Sequence, residues 1–177
     1  MPIDPTAEVE SGVEIGPGTS IGSHVHARGP ARIGQDCIVA EKTYIADGVD
    51  IRDRVKIDAF VYLCSGVVVE HGVMIGAGVV FTNDRYPRAT TPDLETLRES
   101  PGPDVQPTWV REGATVGAGA VIGPGLEIGR FAMVGMGSAV TRDVPPFHLV
   151  IGEPRRPRRA RLSVRESDAP VPSRDRP

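Results

Sequence analysis

Asn83 and Asp84 stand side by side in the 177-residue chain, twelve residues after His71 and eighteen after Ser65 and Gly66. A side-chain amide can accept a hydrogen bond from an amine or donate one to an oxyanion. The neighbouring carboxylate can orient an amine or bind a sugar hydroxyl. His71 brings an imidazole whose ordinary pKa of about 6.5 suits proton uptake at neutral pH. Arg85 and Arg88 follow the pair closely, and Arg142 and Arg156 lie toward the C-terminus. Their planar forks match phosphate oxygens. Each of these residues also has a plainer reading: a turn for Asn83-Asp84, an exposed corner for His71, surface charge for the arginines.

These groups need a scaffold, and the chain declares one by its period. Steps of six from Ile3 meet only apolar residues through Ile15, Ile33, Ile51, Leu63 and Ile75 to Phe81. The ladder resumes at Val110 and runs through Val116, Ile122, Ile128 and Val134 to Val140. A second ladder, four residues behind the first, holds small or β-branched residues such as Thr19, Val25, Cys37, Thr43, Val61 and Val79. Gly often follows a first-ladder residue directly, as at Gly16, Gly34, Gly76, Gly117 and Gly135. This is the hexapeptide pattern of a parallel β-helix, in which each hexad is a short strand and a corner. Three hexads close one triangular coil, so residues eighteen apart stack. Asn83 is therefore expected above Ser65 and Asp47, with Asp84 above Gly66 and Gly48. Helical spacing of three and four is absent.

Composition agrees. The chain has 21 Gly and 17 Pro but only eight aromatic residues, which a disordered chain could share. The period reverses that reading, because glycine turns corners and large rings do not suit a narrow prism. A net charge of −3 gives no electrostatic footprint for nucleic acid. No apolar run approaches membrane-span length, and Met1-Pro2-Ile3-Asp4 opens no secretory signal, so a cytoplasmic protein is expected. Two cysteines, Cys37 and Cys64, make no disulfide framework.

Residues 82–109 interrupt the ladder with a polar, proline-containing insertion, expected to reach over a neighbouring subunit. After Val140, Pro145-Pro146 are expected to end the coils, with a short strand at Leu149 to Ile151. Residues 155–161 hold five arginines, and residues 163–177 are expected to be disordered. The domain plan is thus 1–145 for the β-helix with its insertion, 146–162 for a strand and basic segment, and 163–177 for the tail.

The hexads resemble those of the hexapeptide-repeat acyltransferases. Val80-Phe81-Thr82-Asn83-Asp84-Arg85-Tyr86-Pro87-Arg88 is similar to the FTND-x-YPR motif of nucleotide-linked amino-sugar N-acetyltransferases. Thr108-Trp109-Val110-Arg111-Glu112-Gly113-Ala114-Thr115-Val116-Gly117-Ala118 resembles their T-x-V-x-x-GATIGA segment, and Asp143-Val144-Pro145-Pro146 with Gly152-Glu153-Pro154 their close. The resemblance implies a left-handed, all-β prism of six to seven coils, a homotrimer with sites between prisms, and acetyl transfer from acetyl-CoA to a dTDP- or UDP-linked amino sugar. It implies Asn83 at the sugar amine with Asp84 beside it, and Ser65, Arg85, Tyr86 and Arg88 toward the sugar nucleotide. Backbone around Gly117, Ala118, Gly135 and Met136 would line the pantetheine channel, with Arg142 and Arg156 on coenzyme A phosphates. Cys64-Ser65 stands where the family often has Tyr-Glu, and His71 where an acidic residue is commoner.

Two rival chemistries remain. Transfer to a sugar hydroxyl would demand a base such as His71, because a hydroxyl is the weaker nucleophile. A zinc enzyme of the γ-carbonic anhydrase type shares the prism but needs three converging histidines. Of the four histidines, His24 and His26 lie early and His148 late, and Gly66 and Gly76 flank His71 at five residues. No metal is expected. A non-catalytic prism would have little use for the insertion after Asn83-Asp84.

Overall fold

The computed structural model describes residues 3–98 and 106–152. Among them the chain winds as a left-handed parallel β-helix with three sheets of seven, six and seven strands. The first sheet runs from Glu8–Val9 to Ala139–Val140, the second from Val13–Ile15 to Glu127–Ile128, and the third from Ser20–Ile21 to Leu149–Val150. Every paired strand is parallel, and partners such as Tyr44↔Tyr62 and Arg32↔Asp50 lie eighteen residues apart. That spacing is one triangular coil, as the sequence period predicts.

The first ladder fills the prism. Ile33, Ile45, Ile51, Ile57, Leu63, Ile75, Ile122 and Ile128 are fully buried, each contributing roughly 1.5–3 kcal/mol of transfer free energy. The second ladder includes buried hydroxyls at Thr19 and Thr43, and both are satisfied. Thr19 Oγ1 donates to Gly34 O and accepts from Cys37 N; Thr43 Oγ1 donates to Asp58 O and accepts from Val61 N. A β-branched residue that ties its own coil to the next therefore suits this position.

Two details differ from the sequence reading. Phe81 is 1% exposed and is the largest of the fully buried side chains, so the interior does admit a ring. The second ladder turns from Val73 and Val79 to Ala114 and Ala120 in the coil that follows Phe81. The corner glycines also divide into two kinds. Left-handed backbone falls on the third residue after a first-ladder position, on Gly66 (φ 85°) and Gly78 (φ 69°) but also on Phe60 (φ 61°) and Arg54 (φ 56°). The glycines directly after the ladder answer a different need. A Cβ on Gly76 would stand 2.6 Å from Ala118 N, and one on Gly117 would stand 2.6 Å from Met136 N. Coils approach too closely there for any side chain.

The insertion leaves the prism at one corner and returns to the same stack. Thr82 N still donates to Ile122 O, and Thr108–Val110 already pairs with Val67–Val69, so the excursion is shorter than 82–109. Trp109 consequently belongs to the second sheet. Residues 89–98 fold back on themselves, with an antiparallel bridge between Thr90 and Leu97 and a hydrogen bond from Arg98 N to Ala89 O.

The paired prolines do not end the stack. Val144 bridges Ile128, and Leu149–Val150 adds a strand to the third sheet, with Met133 opposite Leu149. Gly152 N donates to Ser138 Oγ and pins this last turn. Glu153, Pro154, the arginine-rich stretch 155–161 and the tail 163–177 lie outside the described residues.

Candidate active site

Each of the three edges of the prism carries a column of corner residues, and the candidate groups are distributed over all three. The edge between the first and second sheets carries Asp47, Ser65 and Asn83. Tyr62↔Val80 and Leu63↔Ile45 set the register that stacks them. Asn83 is therefore one coil above Ser65, as its spacing predicts, and it is only part-buried. Asp84 is already engaged, since its Oδ1 accepts a 2.8 Å bond from Tyr86 N. One carboxylate oxygen of Asp84 is thus spent on the turn at which the chain leaves the prism, and Asn83 stands beside the departing loop. Tyr86 is 66% exposed, and Arg88 Nη1 donates to Pro87 O. Arg85 and Arg88 sit on the same loop, both exposed.

His71 is on the next edge, between the second and third sheets. Its Nδ1 lies 3.7 Å from Asp53 Oδ2, one coil below, while Asp53 Oδ1 accepts from Gln35 N at 3.1 Å. Asp53 was not among the residues the sequence singled out, although it precedes His71 by one coil length. A shallow cavity of about 320 Å³ lies further down this edge, lined by Glu14, Arg32, Gln35 and Asp53. Its polar groups are remote from Asn83.

Gly117, Ala118, Gly135 and Met136 share the remaining edge, between the third and first sheets. Backbone bonds stack it, from Gly119 N to Ala77 O and from Gly137 N to Ala118 O, both 2.8 Å. Ala118 is exposed and Met136 is 80% exposed, so this edge presents small residues and one flexible apolar side chain to its surroundings. Arg142 is not on this edge. It follows Val140 by two residues and stands on the Asn83 edge, two coils beyond Asn83. Arg156 lies outside the described residues.

Two further clusters escaped the sequence reading. Arg111 Nη1 donates to Glu70 Oε1 and its Nη2 to Glu127 Oε2, with the guanidinium 4.3 Å from the Trp109 ring centroid. Burial works to raise the Glu70 carboxyl, but hydrogen bonds from Arg111 and from Glu112 N, with the Arg111 charge, hold it below the usual carboxylate range. On the first sheet, Tyr62 stacks on Tyr44 at 5.1 Å and 9°, and His26 meets Tyr44 edge-on. Cys64 is 3% exposed, and burial pushes its thiol up to about 11. Among the described residues, no three His, Cys, Asp or Glu side chains form a metal-binding group, and no helix is long and apolar enough to cross a membrane.

Comparison with known proteins follows the same pattern. A model of the bacterial transferase hexapeptide (six repeats) matches residues 48–83, and one of the hexapeptide repeat of succinyl-transferase matches 30–65 and 107–142. The unmatched gap coincides with the loop after Asn83. The bifunctional protein GlmU of Thermotoga maritima is 25% identical over 187 residues, 86% of this chain and 42% of the relative. The dTDP-3-amino-3,6-dideoxy-alpha-D-galactopyranose 3-N-acetyltransferase of Aneurinibacillus thermoaerophilus is 53% identical over 49 residues, 28% of this chain and 26% of the relative. The chain thus spans less than half the length of these curated relatives. Among solved structures, a point mutant of AntD, an N-acyltransferase from Bacillus cereus in complex with dTDP and coenzyme A, shares the fold. Its TM-score is 0.65 at 16% identity, covering 80% of this chain and 79% of that one.

Proposed function

We propose that this chain, a left-handed prism of hexapeptide repeats, is an acetyl-CoA-dependent N-acetyltransferase acting on the amino group of a dTDP- or UDP-linked sugar. The observation that carries the reading is the position of Asn83: part-buried on a prism edge, directly before the loop, one coil above the small side chain of Ser65. An amide there can accept a hydrogen bond from the sugar amine and hold its lone pair toward a thioester carbonyl. The short stretch of high identity to a dTDP-amino-sugar N-acetyltransferase supports the same substrate class.

Attack by the neutral amine forms the new C–N bond and a tetrahedral oxyanion. Collapse of that oxyanion breaks the C–S bond and expels the coenzyme A thiolate. The ammonium proton then passes to the thiolate or to a base, leaving an amide and a free thiol. Asn83 positions the amine, and Asp84 lends its second oxygen to the amine or a sugar hydroxyl. Ser65, Arg85, Tyr86 and Arg88 line the acceptor side. Gly117, Ala118, Gly135 and Met136 receive the pantetheine arm, with Arg142 and Arg156 on phosphates.

Each side of the prism is one six-residue hexad, so its edges are roughly 15–20 Å apart. Asn83 and the Ala118 edge of one copy therefore do not meet over one thioester. A closed homotrimer brings the first edge of one copy against the third edge of its neighbour. Drawing on acetyl-CoA, such an enzyme works in the cytoplasm.

Transfer to a hydroxyl is the second reading, favoured by the approach of His71 to Asp53. Parallel kinetics of Asn83→Ala and His71→Ala separate the two. Crippled Asn83→Ala beside near-normal His71→Ala supports the amine reading, and the reverse supports hydroxyl transfer.

A further inference from the structure

On the outer face of the first sheet, three rings occupy successive coils and then stop. His26, Tyr44 and Tyr62 are Cα partners in turn, and the next two coils offer only Val80 and Val121. One face of the Tyr62 ring is covered by Tyr44, nearly parallel at 9°. Its other face is turned toward Val80, a side chain too short to cover a phenol ring. Tyr62 accordingly stays 45% exposed, and Val121 beyond it is 44% exposed. The sheet surface steps inward at Val80, and the floor of the step is an aromatic face.

We propose that Tyr62 is the platform on which the nucleobase of the nucleotide-linked acceptor stacks. The inference rests on the reading of the acceptor given above and assigns it a subsite. Three relationships carry it. The step lies on the coil that ends at Asn83, because Val80, Phe81, Thr82 and Asn83 are consecutive. Three residues of extended chain separate Val80 from Asn83, about 10 Å, a gap that a ribose and two phosphates can span. Arg85 and Arg88 leave the prism on that same side, exposed and able to meet the phosphates in between. A planar heterocycle over Val80 extends a column of rings already in register, and such stacking tolerates any base because every base has a π-face. The neighbouring hydrophobic wall, Val80 and Val121, excludes water from the other side of the base.

Calorimetric titration of the intact protein with dTDP, UDP and coenzyme A, each alone, tests the assignment. Tyr62→Ala is expected to weaken the nucleoside diphosphates about tenfold to a hundredfold. Tyr62→Phe is expected to retain them, with coenzyme A unchanged in both variants and sedimentation like that of the parent. Unaltered diphosphate binding in Tyr62→Ala overturns the subsite while leaving the acceptor class intact. Loss of coenzyme A binding alone assigns the platform to adenine and overturns it too. A change of sedimentation in Tyr62→Ala means the ring is buried between copies, which overturns the subsite as well. If the parent protein binds neither diphosphate yet acetylates a free amino sugar, the nucleotide-linked reading itself fails, and the subsite with it.

Discussion

Arg111 Nη1 lies 2.8 Å from Glu70 Oε1, joining the first coil after the loop to the coil before it across 41 residues of sequence. Glu112 N adds a second bond to Glu70 Oε2, and Arg111 continues to Glu127 at 2.7 Å. Three successive coils are thus clamped on the second sheet, which borders the edge where the chain leaves. The clamp adds side-chain bonds to the backbone pairing that already joins these coils on either side of the loop.

Arg111→Met removes the clamp. A hydrogen bond between charged groups is worth about 1.5–3 kcal/mol, so a loss of about 2 kcal/mol and a fall in Tm of about 4–8 °C are expected. Glu70 titrates lower when folded than when unfolded. Its contribution to stability is therefore full above the usual carboxylate pKa of about 4.3 and disappears as pH falls through the folded value. Thermal unfolding from pH 7 to pH 3 is expected to show Arg111→Met losing less stability on acidification than the parent.

The two classes of corner glycine predict unequal costs for the same added methyl. Gly76→Ala forces a Cβ to 2.6 Å from Ala118 N, and overpacking of this kind costs roughly 1–3 kcal/mol or more. Gly78→Ala meets nothing within 4 Å and suffers only its left-handed backbone at φ 69°, roughly 1–2 kcal/mol. Urea midpoints are expected to fall further for Gly76→Ala than for Gly78→Ala. The opposite order would mean that coils can part at this edge.

Both thiols are expected to be silent in the folded protein. Cys64 is 3% exposed with its thiol pushed up to about 11, and Cys37 is 1% exposed with burial raising its thiol as well. A thiol reagent at pH 8 should label neither until denaturant is added. Rapid labelling of native Cys64 would contradict its burial.

Much of this was legible in the sequence because a β-helix writes its register into its spacing. Ser65 beneath Asn83 follows from the eighteen-residue repeat, and the same spacing puts Asp53 beneath His71 and Tyr44 beneath Tyr62. Other features do not follow from spacing. The glycine directly after a ladder residue looks like a turn glycine, but only the closeness of the next coil explains Gly76 and Gly117. Pro145-Pro146 suggest an end to the coils, whereas the short strand beyond them, Leu149–Val150, joins the third sheet and continues the stack. Arg142, which the resemblance assigns to coenzyme A phosphates, stands on the Asn83 edge and not on that of Gly117 and Met136. A side chain's edge depends on its place within the hexad, not on its neighbours along the chain.

If acceptor and donor edges come from different copies, two inactive variants should complement. Asn83→Ala impairs the first edge, and Ala118→Arg places a long charged side chain on the exposed third edge. Co-assembled from equal amounts after denaturation and refolding, they are expected to recover about a quarter of the parent's activity, the fraction of two-copy sites with both edges intact. No recovery, with mixed assemblies verified by mass, would place both edges of a site in one copy.

The most direct measurement is release of free thiol from acetyl-CoA by the purified protein, with a panel of dTDP- and UDP-linked amino sugars and their hydroxyl counterparts. Thiol is expected to appear in step with an N-acetyl product for at least one amino sugar. Asn83→Ala should lower that rate about a hundredfold or more, in the range seen when a key transition-state hydrogen bond is removed. Thiol release that follows the hydroxyl sugars instead, or an undiminished rate in Asn83→Ala, would contradict the account.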